Sequence, residues 1–338
     1  MKRLVTHSTF VACALLLGTA GPAAAACDAD GDVQFLCGPV SPEDLAPVPD
    51  SPWVIVSSMV DEGSLYVADT RTHTATVIFP ADTSQARHDT ATYGTCPGPV
   101  TRQFRPHGLY LRTSDDGPHT LYVVGHGARE SIEVFELDAS GDTPALTWVG
   151  CAVAPEALGL NSVVALPDGG FAATSPRTGD VWKWQSTMGW NLVPGTEDIG
   201  PNGLEISPDG QWFYIGSYGA QSLIRLSRGQ TPVQMEAVEV GFHIDNVRWG
   251  PGETLFATGH LGSTRAAIGE CISQRQCEGV TSHVVQVDLQ SFTAEEVVRY
   301  PSNDLLILGT VAIQVGDEIW VGGVAEGDRI ARFPVPTR

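Results

Sequence analysis

One pattern recurs six times along this chain and constrains its fold more than any other feature. It consists of a polar residue, a short β-prone run, a turn rich in Pro, Asp or Gly, and a second β-prone run. Three instances are Glu43-Asp44-Leu45 leading into "VPDSPWVIVSS", His107-Gly108-Leu109 into "YLRTSDDGPHTLYVVGH", and Asn161-Ser162-Val163 into "VALPDGGFAATS". The other three are Asn202-Gly203-Leu204 leading into "EISPDGQWFYIGSY", Asn246-Val247 into "RWGPGETLFATGH", and Thr310-Val311-Ala312 into "IQVGDEIWVGG". Further runs such as "SIEVFELD", "SLIRLS" and "HVVQVDL" close most units. Self-similarity at about 40–50 residues marks propeller blades, whose radial repetition leaves only short, protected sheet edges. Helical periodicity is nearly absent after the first residues. The expected fold is an all-β, six-bladed β-propeller formed by residues 27–338 as one domain.

The innermost strand of every blade runs along the central channel, so a polar residue at its start points at the axis. Glu43, His107, Asn161, Asn202, Asn246 and Thr310 are thereby expected to ring one mouth of the tunnel. Asn and Asp before a strand can also be plain turn residues, but the shared register favours the ring. Glu43, Asn161, Asn202, Asp245 and Asn246 offer carboxylate and amide oxygens without thiolate, a donor set suited to calcium, which takes about 6–8 oxygen ligands. A central-channel calcium ion is the expected cofactor, able to polarise a carbonyl or phosphoryl oxygen. No GxSxG, HExxH, GxxxxGK[ST] or GxGxxG motif is present. "DADGD" at Asp28–Asp32 lacks the glutamate of a calcium loop and reads as a polar turn.

Residues 1–26 read as an export signal: Lys2 and Arg3, an apolar run from Val11 to Ala20, and small residues before a cleavage point near Ala26. The apolar run is too short to span a bilayer, so a periplasmic or secreted protein without a transmembrane segment is expected. Apart from Cys13, the cysteines number six, an even set suited to an oxidising compartment. Lipidation of Cys27 would orphan one thiol and is the alternative. Sequence proximity pairs Cys27 with Cys37, Cys96 with Cys151 and Cys271 with Cys277. The formal charge of −20 disfavours nucleic acid and anionic membranes as partners.

The order of these motifs resembles the paraoxonase (arylesterase/lactonase) family, within the wider group of six-bladed propellers that includes gluconolactonases and strictosidine synthase-like proteins. "SPEDLAPVPDSPWVIVSSM" is similar to that family's opening segment, "PHGLYL…LYVVGHGARESIEVFELD" to its paired-histidine blade, and "PNGLEISPDGQWFYIG" to its central Asn blade. "HIDNVRWGP…LFATGH" resembles its Asp-Asn blade and "GTVAIQVGDEIWVGG" its closing one. The resemblance covers most of residues 27–338. It implies that Glu43, Asn161, Asn202, Asp245 and Asn246 hold a catalytic calcium, that His107 activates water with His126 as its partner, and that His260 and Thr310 line the substrate pocket. The family's second, structural calcium would use Asp44 and the Leu109 carbonyl, but Ser162 stands where a further acid is needed. The closing "RFPVPTR" has no cysteine, so ring closure must rest on strand pairing and packing.

The expected function is calcium-dependent hydrolysis of a small-molecule lactone or aryl ester, with His107, or else Glu43 itself, activating water. A sugar lactonase of gluconolactonase type is an alternative, as is a non-catalytic binding propeller that uses calcium for rigidity. No protein partner is implied. Residues 81–105 are expected to form a lid-like loop. His243 is expected to face away from the channel, and His73, His88, His119 and His283 to lie in turns or on exposed strands. Trp182, Trp184, Trp212 and Trp249 should pack blade on blade.

Overall fold

β-branched and aromatic runs bounded by Gly, Pro and Asp turns pair as antiparallel hairpins, and four such strands make a blade. The computed structural model describes residues 27–81, 84–100 and 102–336; the expected signal, residues 1–26, lies outside them. Blade 1 comprises Pro42–Pro47, Trp53–Ser58, Leu65–Asp69 and Thr74–Phe79, from the channel outwards. Blade 2 comprises Phe104–Arg112, His119–Gly127, Ser131–Asp138 and Ala145–Val153, with Gln85–Ala86 added parallel at its outer edge. Blade 3 is built from Val163–Ala165, Phe171–Ser175, Asp180–Gln185 and Gly189–Leu192, and blade 4 from Pro201–Ile206, Trp212–Ser217, Ser222–Ser227 and Met235–Glu239. Blade 5 runs through His243–Trp249, Thr254–Gly262, Val280–Asp288 and Thr293–Pro301. Blade 6 takes Gly309–Val315, Glu318–Gly323 and Arg329–Pro334 from the end of the chain and Gln34–Cys37 from its beginning. The expected six-bladed propeller is the fold.

Burial follows position in the blade. Second strands are covered on both faces by neighbouring blades, which is why Trp53–Ser58 and Phe171–Ser175 read as continuous small or apolar runs rather than alternating ones. Outermost strands such as Met235–Glu239 are largely exposed and carry charge. Aromatic rings fill the space between blades 1 and 2, where Phe79 meets Phe104 and Phe135 edge-on at 5.8 and 4.9 Å, while Trp184 stacks on its cross-strand neighbour Phe171 within blade 3 at 5.1 Å. Trp249 packs edge-on against Tyr214, and Arg225 lies over Trp212. Of these contacts, the one made by Trp249 joins two blades as expected, whereas those of Trp184 and Trp212 lie within their own blades.

The ring closes by pairing Gln34–Cys37 antiparallel with Arg329–Pro334, Gln34 opposite Arg332 and Cys37 opposite Arg329. Strand pairing therefore does close the propeller. The three disulfides are Cys27–Cys37, Cys96–Cys151 and Cys271–Cys277, the pairs expected from proximity. No helix among the described residues is long and apolar enough to cross a membrane.

One element has no counterpart in the sequence periodicity: a helix, Arg265–Gln274, inserted between two strands of blade 5. Thr264 caps it by accepting from the Ala267 N–H at 3.1 Å, and Arg275 ends it in the left-handed conformation. Only Ile268 and Cys271 of the helix are buried, so its apolar stripe is too narrow to register as helical.

Candidate active site

Five of the six inner strands break register at the ring position. The shifts fall between Pro42 and Asp44, Pro106 and Leu109, Pro201 and Leu204, Ile244 and Val247, and Gly309 and Val311. The residues left out of the ladder are Glu43, His107, Asn202, the Asp245-Asn246 pair and Thr310. A bulge re-aims the side chain it frees, and here Glu43, His107, Asn202 and Asp245 reach the central cavity. In blade 3 Asn161 does the same from the segment just before the inner strand, its N–H bonded to the Thr174 carbonyl at 3.1 Å.

Close approach of the inner strands also needs glycine. A Cβ on Gly108 would lie 2.3 Å from the Asn161 carbonyl oxygen, and one on Gly203 would lie 2.4 Å from that of Asp245. The glycine after a ring residue thus makes room for the next ring residue's backbone. Side chains one position on tie the blades together: Asp44 Oδ2 accepts from the Leu109 N–H at 2.6 Å and Ser162 Oγ from the Leu204 N–H at 3.2 Å.

Glu43, Asn161, Asn202 and Asp245 line a cavity of about 530 Å³ together with His107, Tyr218 and His260. Asn246 lies behind this floor, fully buried, and donates to Glu43 Oε1 at 2.6 Å. Thr310 is also buried and donates to the Glu43 carbonyl at 2.7 Å; it braces the ring and does not line the cavity. Glu43 Oε2 and Asn246 Oδ1 are buried without a hydrogen-bond partner. With its nitrogen inward, Asn202 donates to Asn161 Oδ1 at 2.6 Å and Asp245 Oδ1 at 3.0 Å. With its oxygen inward, the Asn202, Asn161 and Asp245 side-chain oxygens face one another with no donor from Asn202 between them. Among the described residues no three His, Cys, Asp or Glu side chains are grouped to hold a metal by themselves, so any ion here depends on the asparagine amides.

The electrostatics point the same way. Burial drives the Asp245 carboxyl well above its ordinary value, and repulsion from Glu43 adds to this. Burial would raise Glu43 too, but the His107 charge and hydrogen bonds from His107 and Asn246 outweigh it and hold Glu43 low. Burial pulls the His107 imidazole down, and the Glu43 carboxylate more than reverses that.

Behind His107 runs a relay. His107 Nδ1 is 2.9 Å from His126 Nε2, and His126 Nδ1 is 2.8 Å from Glu130 Oε2. A carboxylate at the far end fixes the tautomers: His126 donates from Nδ1 to Glu130, and His107 donates from Nδ1 to His126. That directs His107 Nε2 into the cavity, 3.5 Å from Glu43 Oε1 and 3.5 Å from Asn161 Nδ2, where it donates to the Glu43 carboxylate when the ring is charged and presents a lone pair when the ring is neutral. The paired histidines come together as expected. Glu130 was not foreseen, although its spacing of four from His126 across a hairpin turn was a signal.

On the opposite wall the Tyr218 hydroxyl lies 2.9 Å from His260 Nε2, and the Tyr218 ring stacks on His243 at 4.6 Å. His260 stands in the cavity wall, while Tyr218 was missed although it holds the same register position in blade 4, one residue past the partner of Pro201, that His126 and His260 hold in blades 2 and 5.

Asp44 and Leu109 meet, but around a side chain. The Arg248 guanidinium pairs with Asp44 Oδ2 and donates to the Leu109 carbonyl at 2.9 Å and the Val247 carbonyl at 2.8 Å. Arg248, Asp44 and nearby Glu205 are all buried. Burial lifts the Asp44 carboxyl to about 6, against the pull of Arg248. A cation already satisfies the oxygens assigned to a second calcium, so these residues do not fit a second ion.

Two smaller expectations need correcting. The segment leading up to Arg105 runs along the outer edge of blade 2, tied there by Gln85–Ala86 and the Cys96–Cys151 disulfide, and of its described residues only Arg105 reaches the cavity. The helix Arg265–Gln274 stands at the mouth instead, through half-exposed Ile272. His283 is buried, stacked on Phe242 and bonded to Glu296 at 2.9 Å, rather than on an exposed strand.

No family model matches this chain, and no curated protein matches it. Among solved structures, a gluconolactonase from Xanthomonas campestris shares 14% identity at a TM-score of 0.56, covering 90% of this chain and 89% of that one. Regucalcin from Agrobacterium tumefaciens, described as a calcium-binding protein, shares 14% at a TM-score of 0.52, covering 90% and 92%. A virginiamycin B lyase from Staphylococcus aureus shares 10% at a TM-score of 0.52, covering 90% and 99%. At such identities the likeness is one of fold alone.

Proposed function

We propose that this protein is an exported, calcium-dependent hydrolase of lactones or aryl esters. The observation that carries the reading is the cavity floor: carboxylate and amide oxygens converge there, two buried oxygens lack a partner, and a histidine base with a fixed tautomer stands beside them. Glu43, Asn161, Asn202, Asp245 and Asn246 would hold the ion, and their oxygen-only chemistry fits calcium. When bound, calcium supplies positive charge to a substrate carbonyl oxygen, where charge develops during acyl transfer.

The chain's own groups do the rest. His107 Nε2 accepts a proton from water, and the resulting imidazolium is stabilised through His126 by Glu130. Asn246 and Thr310 hold Glu43 in place by its carboxylate and its backbone. The gluconolactonase among the structural neighbours keeps sugar lactones in the substrate range to be tested. Export rests on the character of residues 1–26 and suits the three disulfides.

The test is turnover of aryl esters, γ-lactones and sugar lactones by protein recovered from the periplasm or medium with its N-terminus near Cys27. Hydrolysis should vanish with chelator and return with calcium. No hydrolysis, with a melting temperature that drops on chelation, would leave a calcium-stabilised binding propeller instead. Recovery only from the cytoplasm with residues 1–26 attached would remove export from the reading.

A further inference from the structure

The inner strands pack in cyclic order, blade 1 against blades 2 and 6, so blades 2 and 5 stand opposite each other across the channel. His107 enters the cavity from blade 2. His260 enters from blade 5, and Tyr218 from neighbouring blade 4. A carbonyl carbon over the oxygen ring would have the base on one side and this tyrosine on the other.

Tyr218 is held at its backbone, its ring and its hydroxyl. Its N–H donates to the Gly200 carbonyl at 3.1 Å, its own carbonyl lies 2.7 Å from His243 Nδ1, and its ring stacks on His243 with an interplanar angle of 15°. The remaining freedom, rotation of the hydroxyl, is fixed by His260 Nε2 at 2.9 Å. Burial, with a contribution from Asp245, raises the phenol to about 12, so it stays protonated across the neutral range. Burial also lowers His260 to about 4, an effect the Gly309 backbone partly offsets, so this ring is neutral and carries one proton.

We infer that Tyr218 is a catalytic residue that delivers its phenolic proton to the departing alkoxide, and that His260 positions it. This rests on the hydrolase reading above. Water loses a proton to His107 Nε2 as its oxygen bonds to the acyl carbon. The bond between that carbon and the leaving oxygen then breaks, its electron pair stays on the leaving oxygen, and the Tyr218 proton joins it. The phenolate regains a proton from solvent at the open mouth while His107 releases the one it took, so one water is consumed. The inference requires the His260 proton on Nε2, where it donates to the Tyr218 oxygen, aims the phenolic proton into the cavity and stabilises the phenolate. With that proton on Nδ1, Tyr218 would donate to His260 and become only an acceptor for substrate.

Leaving-group dependence separates these arrangements. Calcium-loaded wild type and Tyr218→Phe are compared on a γ-lactone and on esters of one acid whose leaving groups run from an alkyl alcohol to 4-nitrophenol. Poor leaving groups need the acid and 4-nitrophenolate does not. Tyr218→Phe should therefore lower kcat about 100-fold for the alkyl ester and the lactone, yet leave the 4-nitrophenyl ester within about 3-fold, which also reports intact folding. His260→Gln should show the same trend more weakly. Calcium binding by Tyr218→Phe, measured calorimetrically, should match the wild type. An equal loss across all leaving groups, a change confined to KM, or weakened calcium binding would each overturn the inference while leaving the hydrolase reading intact. A wild type that cleaves none of the esters would overturn both.

Discussion

Glu205 sits three residues beyond the ring residue Asn202, buried, with Oε1 accepting from the Ile206 N–H at 3.0 Å. Burial raises its carboxyl from 4.5 to about 7, although Arg248 nearby opposes this. A folded-state value above the unfolded one means the folded protein holds the proton more tightly. The associated stability is present below pH 4.5 and is lost as pH rises through 7. A tenfold difference in proton affinity between the folded and unfolded chains is worth about 1.4 kcal/mol, so Glu205→Gln should gain roughly 3 kcal/mol over wild type at pH 8 and nothing at pH 4. Melting temperatures of both proteins from pH 4 to 8 check this; parallel curves would show that Glu205 ionises freely when folded. Arg248 poses the converse case. Arg248→Met leaves Asp44 buried without its counter-ion and should cost about 3–5 kcal/mol, read by denaturant unfolding. Adding Asp44→Asn to that variant should restore part of the loss, and failure to do so would mean the pair is not what the arginine supports. At this scale the sequence was legible where a residue occupied a repeat position, as Glu43, His107 and Asn202 do. Glu130 and Arg248 act from a turn and from the far part of a strand, where only three-dimensional proximity gives them meaning, whereas Tyr218 holds the register position of His126 and His260 with a different side chain.

Elements place the ring through two local devices, the bulge that frees a ring residue and the glycine that follows it. Gly203→Ala tests the second. Its Cβ would meet the Asp245 carbonyl at 2.4 Å and the Asn246 Cα at 2.8 Å, both backbone atoms that cannot swing aside. Blade 5 must shift at the position where it contributes Asp245 and Asn246. The expected result is calcium affinity reduced at least about 10-fold together with a loss of roughly 1–3 kcal/mol in stability, the range for overpacking. Gly219, which has open space around it, serves as the control: Gly219→Ala should bind calcium as the wild type does. Equal behaviour of the two variants would show that the inner strands do not set the ring geometry. The strands themselves were legible because doubly covered strands and turn residues repeat with one period. The bulges were not, because a single extra residue in an apolar run leaves no compositional mark. The helix Arg265–Gln274 was missed for a related reason: it rests on the blade by only Ile268 and Cys271 and shows no broad apolar face.

At the scale of the whole molecule, a propeller is a closed ring that must be fastened where the two ends of the chain meet. Here the seam lies inside blade 6, where Gln34–Cys37 forms the outermost strand beside Arg329–Pro334. Phe35 and Leu36 of the closing strand are buried, Leu36 completely, and the Cys27–Cys37 disulfide ties off its end. Because that disulfide joins two residues of the same N-terminal segment, it cannot fasten one end of the chain to the other. Closure must come from the strand itself. Deleting residues 27–38 should remove the burial of both side chains, worth about 1.5–3 kcal/mol each, and uncover the hydrogen-bonding edge of Arg329–Pro334. Exposed edges pair with other chains, so lower melting temperature should be accompanied by concentration-dependent aggregation. Replacing Cys27 and Cys37 by serine keeps the strand and removes only a short loop constraint, so the propeller should not aggregate and should lose less stability than the deletion variant. Thermal unfolding and light scattering of the two variants decide the point. If the serine variant aggregated as the deletion does, the disulfide would be fastening the seam, and the strand alone would not account for closure.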